Sequence, residues 1–254
     1  MPDADKPLFP LTLPEKMLER WHRLWGAFSL SHQCAPLLAQ GGMPWTTWLI
    51  LGGRGAGKTR AGAEWVRAQA NDPAARVALI GETARDVREV MIEGVSGLLS
   101  VHEYGARPTW EPSRGLVTFE SGAIAQAFSA EDPDSLRGPQ FSAAWCDELA
   151  KWRHAEATFD MLQFGLRLGT RPRQVITTTP RPIALLKRLI ADPTTALTHA
   201  GTAANAYNLA PSFLDTIVKR YQGTQLGRQE LDGEIIEERS DALWTRTGLE
   251  ACRV

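Results

Sequence analysis

A phosphate-binding loop is the clearest chemical feature of the sequence. The apolar residues 48–51 precede a glycine-rich stretch, and residues 60–66 after it have a helix-forming pattern. The stretch reads Gly52-Gly53-Arg54-Gly55-Ala56-Gly57-Lys58-Thr59. This is the P-loop pattern G-x-x-x-x-G-K-[ST] in its strand–loop–helix setting, where backbone N–H groups and a helix N-terminus bind phosphate. We expect Lys58 to contact the β- and γ-phosphates of a nucleoside triphosphate and Thr59 to hold Mg²⁺. A glycine-rich hairpin or linker is the alternative, and Lys-Thr leading into a helix argues against it.

Two adjacent carboxylates follow a second apolar strand. Residues 141–146 are mostly apolar or small, and Asp147 and Glu148 come directly after them. A P-loop enzyme needs one carboxylate near the metal ion and a group that orients the attacking water. We therefore predict that Asp147 binds Mg²⁺ and that Glu148 is the general base. A helix cap or a surface pair is the alternative, and the upstream P-loop favours the catalytic interpretation.

Phosphoryl transfer also requires positive charge near the γ-phosphate, and two arginines are candidates. Arg54 lies inside the phosphate loop itself. Arg137 lies in the loop 134–138, from which it can extend toward a neighbouring subunit. An ion pair with Asp132 or Asp134 is the alternative role for Arg137.

Three further polar residues are candidates for the same site. Thr178 and Thr179 end the strand that follows the acidic pair, where a polar side chain can sense the γ-phosphate. Threonine is also simply a good strand former. Gln33, ahead of the P-loop strand, is a candidate for reading the adenine edge, with a surface amide as the alternative. The five histidines show no ligand spacing with carboxylates, so we predict no histidine metal site.

Alternating strand and helix patterns must position these residues. Strands are predicted at 48–51, 76–80, 141–146, 174–178 and near 197, a β-hairpin at 116–128, and helices at 15–30, 60–66, 83–99, 154–168, 182–190, 211–221 and 224–235. The order predicts an α/β fold of the P-loop NTPase (RecA/ASCE-like) type, with a mostly parallel sheet and helices on both faces, plus a small helical C-terminal subdomain or linker. The predicted domains are an N-terminal helical, adenine-side segment (1–44), a P-loop ATPase core (45–200) and a helical linker (201–254).

Composition restricts the class of protein further. The chain has 254 residues and a net charge of −1, so any DNA contact must come from a local patch or from assembly. Three widely separated cysteines disfavour a disulfide framework and suit a reducing compartment. There is no signal-peptide pattern and no apolar run near ~20 residues. We expect a soluble, cytoplasmic protein that does not contact a membrane.

Together, these residues resemble the ATPase domain of the large terminase subunit of tailed phages and phage-like gene transfer agents. The resemblance covers roughly residues 15–240 and rests on segments 48–60, 81–83, 135–141, 145–150 and 177–180. It implies a motor that hydrolyses ATP with Mg²⁺ and drives double-stranded DNA into a procapsid. By this resemblance Arg137 is a trans-acting arginine finger, Thr178 or Thr179 is the coupling motif, and Gln33 corresponds to the adenine-reading glutamine.

The resemblance also implies partners and a location. The partners are double-stranded DNA, the portal protein, the small terminase subunit and further copies of the chain in a ring, which is pentameric in many relatives. The location is the host cytoplasm, and transiently the procapsid portal. Relatives continue into a nuclease domain of RNase H-like fold, and this sequence stops where that domain would begin, so we expect no endonuclease activity from the chain.

Two other classes of protein compete with this interpretation. The first is another P-loop ATPase, such as a helicase or an AAA-type remodeller. A helicase would need a second RecA-like domain, for which residues 190–254 are too few. The second is a non-catalytic ATP-binding protein, against which Lys58, Asp147 and Glu148 argue.

Overall fold

One eight-stranded sheet organises the protein, whose computed structural model describes residues 25–236 and residue 252. The strands are β1 (Thr47–Gly52), β2 (Arg76–Gly81), β3 (Thr109–Glu111), β4 (Leu116–Thr118), β5 (Ile124–Ser129), β6 (Ala143–Asp147), β7 (Arg173–Thr178) and β8 (Thr195–Ala200). Their order in space is β3-β4-β5-β2-β6-β7-β1-β8. The six strands from β5 to β8 in that order are parallel, and β3 and β4 add an antiparallel edge.

Helices link the parallel strands. The α-helical segments are α1 (Trp25–Phe28), α2 (Lys58–Gln69), α3 (Ala84–Asp86), α4 (Ala155–Gly165), α5 (Ala184–Ala191), α6 (Pro211–Phe213), α7 (Lys219–Tyr221) and α8 (Gln225–Gly227). Wider π-helical turns extend three of them, at Val87–Ile92, Leu214–Val218 and Arg228–Asp232. Short 3₁₀ turns lie at Ser31–Gln33, Tyr104–Ala106, Pro133–Leu136, Leu149–Lys151 and Thr202–Asn208.

Apolar side chains cover both faces of the sheet. Successive residues of a strand point to opposite faces, and in β1 Trp48 and Ile50 join one core cluster while Leu49 and Leu51 join the other. Every residue of β1 is buried. Parallel strands buried on both faces have continuous apolar sequences, which explains the unbroken run before the phosphate loop.

The predicted α/β architecture is confirmed, with local differences. The helix predicted over 83–99 begins as expected, because Thr83 accepts a hydrogen bond from the Asp86 N–H at 3.1 Å. It ends at Ile92 because the chain turns back there: a Cβ on Gly97 would lie 2.7 Å from the Ile92 carbonyl oxygen. Strand β3 was not predicted, and β8 is longer than the short strand expected near 197.

Two other predictions concern the ends of the chain. Of the helix predicted over 15–30, the structure describes only the part from residue 25, where α1 lies; the rest falls outside the described residues. The domain boundaries at 44 and 200 stay predictions, although β1 to β8 span residues 47–200. Within residues 25–236, no helix has the length and apolar character needed to cross a bilayer.

Candidate active site

The phosphate loop joins the end of β1 to the start of α2. Gly55 and Gly57 have φ angles of 78° and 83°, a left-handed conformation that glycine adopts without strain. A Cβ on Gly57 would also lie 2.2 Å from the Gln33 amide nitrogen. The first N–H groups of α2 have no acceptor within the helix, and the helix dipole adds positive charge there. The loop therefore has the backbone geometry of an anion site.

Lys58 is buried at the centre of the site. Its ammonium donates to the carbonyl oxygens of Gly52 and Gly53, at 3.0 and 3.1 Å, and to the Thr179 hydroxyl at 3.2 Å. The Glu148 carboxylate lies 3.7 Å from it. Burial lowers the pKa of Lys58, and the nearby carboxylates oppose that shift without cancelling it. All three ammonium protons thus have acceptors within the protein.

The acidic pair lies beside Lys58 because of the strand order. β6 ends at Asp147, β7 lies between β6 and β1, and all three are parallel, so their carboxyl ends share one edge of the sheet. Glu148 follows with a φ of 51°, the only described residue other than glycine with a positive φ. Such a conformation is strained for a side chain of this size, and strain of this kind concentrates at functional sites.

Asp147 is buried next to a second carboxylate. Burial, and secondly the charge of Glu148, raise the pKa of Asp147 to about 7. The Thr177 hydroxyl donates to its carboxylate at 2.5 Å, which favours the ionised form but does not offset burial. Thr177 therefore fixes the position of the carboxylate, while burial makes its ionised form unfavourable.

Three threonines connect to the acidic pair and to Lys58: Thr177 and Thr178 at the end of β7, and Thr179 directly after it. Thr177 binds Asp147, as described above. Thr178 accepts from the Ala150 N–H at 3.0 Å and so fixes the turn that follows Glu148. The Thr179 N–H donates to the Glu148 carboxylate at 3.1 Å, and its hydroxyl accepts from Lys58.

A cleft of about 1030 Å³ opens over the loop. Its lining includes Lys58, Thr59, Glu148, Thr179 and Gln33. These predicted residues are thus brought together around one cavity that is large enough for a nucleotide.

Arg54 also lines this cleft, and its side chain is exposed. Its guanidinium lies 3.7 Å from the Glu230 carboxylate, and its backbone N–H donates to the Glu230 carbonyl oxygen at 2.6 Å. The chain after β8 therefore returns to the back of the phosphate loop.

Arg137 and Gln33 have different surroundings. Arg137 is exposed and forms an ion pair with Asp134 at 2.9 Å, the alternative that the sequence left open; it does not line the cleft within this subunit. The Gln33 side chain accepts from the Leu30 N–H at 2.9 Å and donates to the Gly57 carbonyl oxygen at 3.0 Å. Its amide therefore holds the phosphate loop at Gly57.

The oxygen donors near the loop suit a magnesium ion. Mg²⁺ prefers hard oxygen ligands and takes few of them from protein, together with phosphate oxygens. The Thr59 hydroxyl and the Asp147 carboxylate are such donors. A nearby cation would favour the ionised carboxylate and so lower the raised pKa of Asp147. Among the described residues there is no cluster of three or more His, Cys, Asp or Glu residues that could hold a metal ion by itself.

Several residues of the site could not be found from the sequence. Thr177 was within the predicted strand but had no assigned partner. His32, Thr202 and Asn205 contact the phosphate loop from segments far away in the sequence. No local pattern marks them, because their role depends on tertiary contacts.

The loop, the acidic pair and the strand order define a P-loop NTPase of the ASCE type, in which an additional strand, here β7, separates the P-loop strand from the acidic strand. Residues 49–251 match the family described as terminase large subunit, T4likevirus-type, N-terminal. The chain therefore belongs to the large terminase subunits, the family of phage DNA-packaging motors. No curated protein is similar enough in sequence to count as a match.

Solved structures share the fold at low sequence identity. The ATPase domain of the Thermus phage P74-26 large terminase has a TM-score of 0.56 and 18% identity, over 76% of this chain and 89% of that one. A large terminase from a thermophilic bacteriophage has a TM-score of 0.61 and 15% identity, over 87% of this chain and 54% of that one. The HK97 bacteriophage large terminase has a TM-score of 0.57 and 12% identity, over 75% of this chain and 47% of that one. This chain thus spans about half the length of the latter two.

Proposed function

We propose that this protein is the ATPase of a phage or gene-transfer-agent DNA-packaging motor. The observation that carries the proposal is the placement of Lys58, Glu148 and Thr179 within one hydrogen-bonded group beside the phosphate loop. Membership of the large terminase family supports the packaging role. Structures of the thermophilic phage terminase in complex with ADP and with ATP-gamma-S support a nucleotide as the ligand.

The residues divide the chemistry as follows. The loop N–H groups and Lys58 bind the β- and γ-phosphates, and Glu148 takes a proton from the attacking water. Thr59 and Asp147 would hold Mg²⁺, whose charge offsets that of the phosphate oxygens when it is bound. Glu148 is held in position by the Thr179 N–H, so its carboxylate keeps a fixed direction while it acts as the base.

Thr179 is suited to couple the nucleotide to the rest of the domain. Lys58 has three hydrogen-bond acceptors in this structure, and Thr179, which directly follows β7, is the one outside the phosphate loop. A γ-phosphate that recruits the Lys58 ammonium competes with the Thr179 hydroxyl for it. Binding and loss of the γ-phosphate would then change the contacts at the end of β7, where Thr178 also fixes the turn after Glu148.

Arg137 is proposed to act in a neighbouring subunit. Its guanidinium is exposed, and its ion-pair partner among the described residues is the exposed carboxylate of Asp134, so breaking that pair costs little. Such an arginine can stabilise the transferring phosphoryl group of an adjacent site. Arg54, which lines the cleft of its own subunit, is the candidate for the same role in cis.

The partners follow from the motor role. We propose double-stranded DNA as the substrate that is moved, with the portal protein, the small terminase subunit and a ring of copies of this chain as protein partners. The motor would act in the host cytoplasm, at the procapsid portal.

Replacement of Lys58 tests the ATPase assignment. We expect Lys58→Ala to abolish ATP hydrolysis, because it removes the charge that binds the phosphates. Lys187→Ala removes an exposed lysine of α5 and should hydrolyse ATP at the wild-type rate. Hydrolysis by Lys58→Ala near the wild-type rate would show that the site is assigned to the wrong residues.

A further inference from the structure

Each of the six backbone carbonyls from Gly52 to Gly57 in the phosphate loop accepts a hydrogen bond from a side chain. Lys58 serves the first two, Gly52 and Gly53. The other four have one side-chain donor each: Thr202 on Arg54 at 2.6 Å, Asn205 on Gly55 at 2.7 Å, His32 on Ala56 at 2.8 Å and Gln33 on Gly57 at 3.0 Å. Because a carbonyl oxygen only accepts, the bonded His32 nitrogen, Nε2, carries its proton.

These four side chains come from two turns that are far apart in the sequence. His32 and Gln33 lie in the turn Ser31–Gln33, and Thr202 and Asn205 in the turn Thr202–Asn208. All four are buried. Asn205 is itself oriented, because its side-chain oxygen accepts from the Asn208 amide at 2.8 Å. The donors are therefore fixed before any ligand arrives.

The direction of the carbonyls decides what the loop offers to an anion. The N–H and C=O groups of a peptide plane point in opposite directions. A carbonyl that is tied to a donor outside the loop directs the N–H of the following residue to the other side, away from that donor. The Ala56 N–H, which follows the Gly55 carbonyl, donates to the Gly53 carbonyl oxygen at 3.2 Å and so closes a turn within the loop. A carbonyl that turns inward instead places negative partial charge against the phosphates. Donors placed in advance on rigid elements lower the free-energy cost of binding.

We propose that Thr202, Asn205, His32 and Gln33 form a carbonyl clamp, a set of positioning residues that orients the phosphate loop for a nucleoside triphosphate. The inference rests on the proposed function, since it takes the triphosphate as the ligand of the loop. It assigns a role in nucleotide affinity to the turn after β8, which lies about 150 positions along the chain from the loop that it serves.

Thr202 gives the sharpest test because its hydroxyl can be removed without loss of volume. Thr202→Val should raise the Kd of a non-hydrolysable ATP analogue with Mg²⁺ about tenfold, which corresponds to about 1.4 kcal/mol. The KM for ATP should rise by a similar factor with little change in kcat, as expected when ground state and transition state lose the same interaction. Thr202→Ser keeps the hydroxyl and should restore most of the affinity.

Thr198→Val is the matched control. Thr198 lies on β8, and its hydroxyl accepts from the Trp48 indole at 3.0 Å instead of contacting the loop. This variant should unfold more easily on heating, with the Kd of the wild type. A purely structural role for Thr202 would give the same pattern in Thr202→Val, with a lower melting temperature, an unchanged Kd and no special rescue by serine. That pattern would overturn the proposal.

A second variant covers the case in which Thr202→Val does not fold. Asn205→Ala removes the donor to Gly55 and should also raise the Kd about tenfold. An unchanged Kd in Asn205→Ala, together with loss of hydrolysis in Lys58→Ala, would leave the proposed ATPase intact and reject the clamp. Hydrolysis that survives Lys58→Ala would reject the ATPase assignment, and the clamp with it.

Discussion

Removal of the Asp147 charge should change how stability depends on pH. The pKa of this buried carboxyl is about 7 in the folded protein, against an ordinary value of 3.8. Because the folded state binds the proton more tightly, the stabilisation is fully present below pH 3.8 and is lost as pH rises through about 7. In Asp147→Asn the side chain stays neutral at every pH, and its oxygen can still accept from Thr177.

The expected magnitude follows from the two pKa values. A difference of about 3 units at 1.36 kcal/mol per unit gives about 4 kcal/mol over the whole titration. About 2.5 kcal/mol of this falls between pH 5 and pH 8. The free energy of unfolding of Asp147→Asn, minus that of the wild type, should therefore be about 2.5 kcal/mol higher at pH 8 than at pH 5.

Urea unfolding at the two pH values measures this difference. Nucleotide and divalent cations must be removed with a chelator, because a bound cation would favour the ionised carboxylate. Asp160→Asn, which changes an exposed carboxylate on α4, is the control. Its free energy of unfolding relative to the wild type should be almost the same at both pH values. If the difference in free energy of unfolding between Asp147→Asn and the wild type is the same at pH 5 and pH 8, burial does not raise the pKa of this carboxyl. The electrostatic description of the site is then wrong.

Three other predictions concern catalysis and packing. Glu148→Gln should bind ATP normally but turn it over about 10²–10⁴-fold more slowly, since only the base is lost; equal loss of binding and turnover in a Kd and rate comparison would contradict that role. Arg137→Ala mixed with Glu148→Ala should recover part of the ATPase activity through hybrid interfaces, and no recovery at any mixing ratio would leave Arg137 as a structural or cis residue. Gly62→Ala should lower the free energy of unfolding, measured by denaturant titration, by about 1–3 kcal/mol, because its Cβ would lie 2.3 Å from Trp145. Gly105 has open space around it, so Gly105→Ala should leave the free energy of unfolding almost unchanged.

The parts of the fold that follow local sequence rules were predictable. The phosphate loop is set by its glycines and by Lys58, and Thr83 begins its helix through a side-chain cap. The strand that leads to Asp147 was visible as an apolar run because it is buried on both faces. The parallel sheet then follows from the alternation of strands and helices.

The parts that depend on distant contacts were not predictable. The helix that begins at Ala84 stops early because the chain folds back near Gly97, which helical periodicity cannot reveal. Arg137 has an ion-pair partner three residues away, but a neighbouring subunit that would draw it away cannot be read from one chain. The clamp on the loop carbonyls joins segments that lie 24 and about 150 positions from the loop, so no short pattern marks it.

The rate of ATP hydrolysis per subunit, measured over a wide range of protein concentration, tests the motor most directly. If neighbouring subunits complete each other's sites through Arg137, the rate per subunit should rise steeply as concentration increases, and it should stay low at every concentration in Arg137→Ala. A flat, appreciable rate would mean that each subunit is self-sufficient. That result would contradict the ring motor with a trans-acting arginine and would assign the catalytic charge to Arg54.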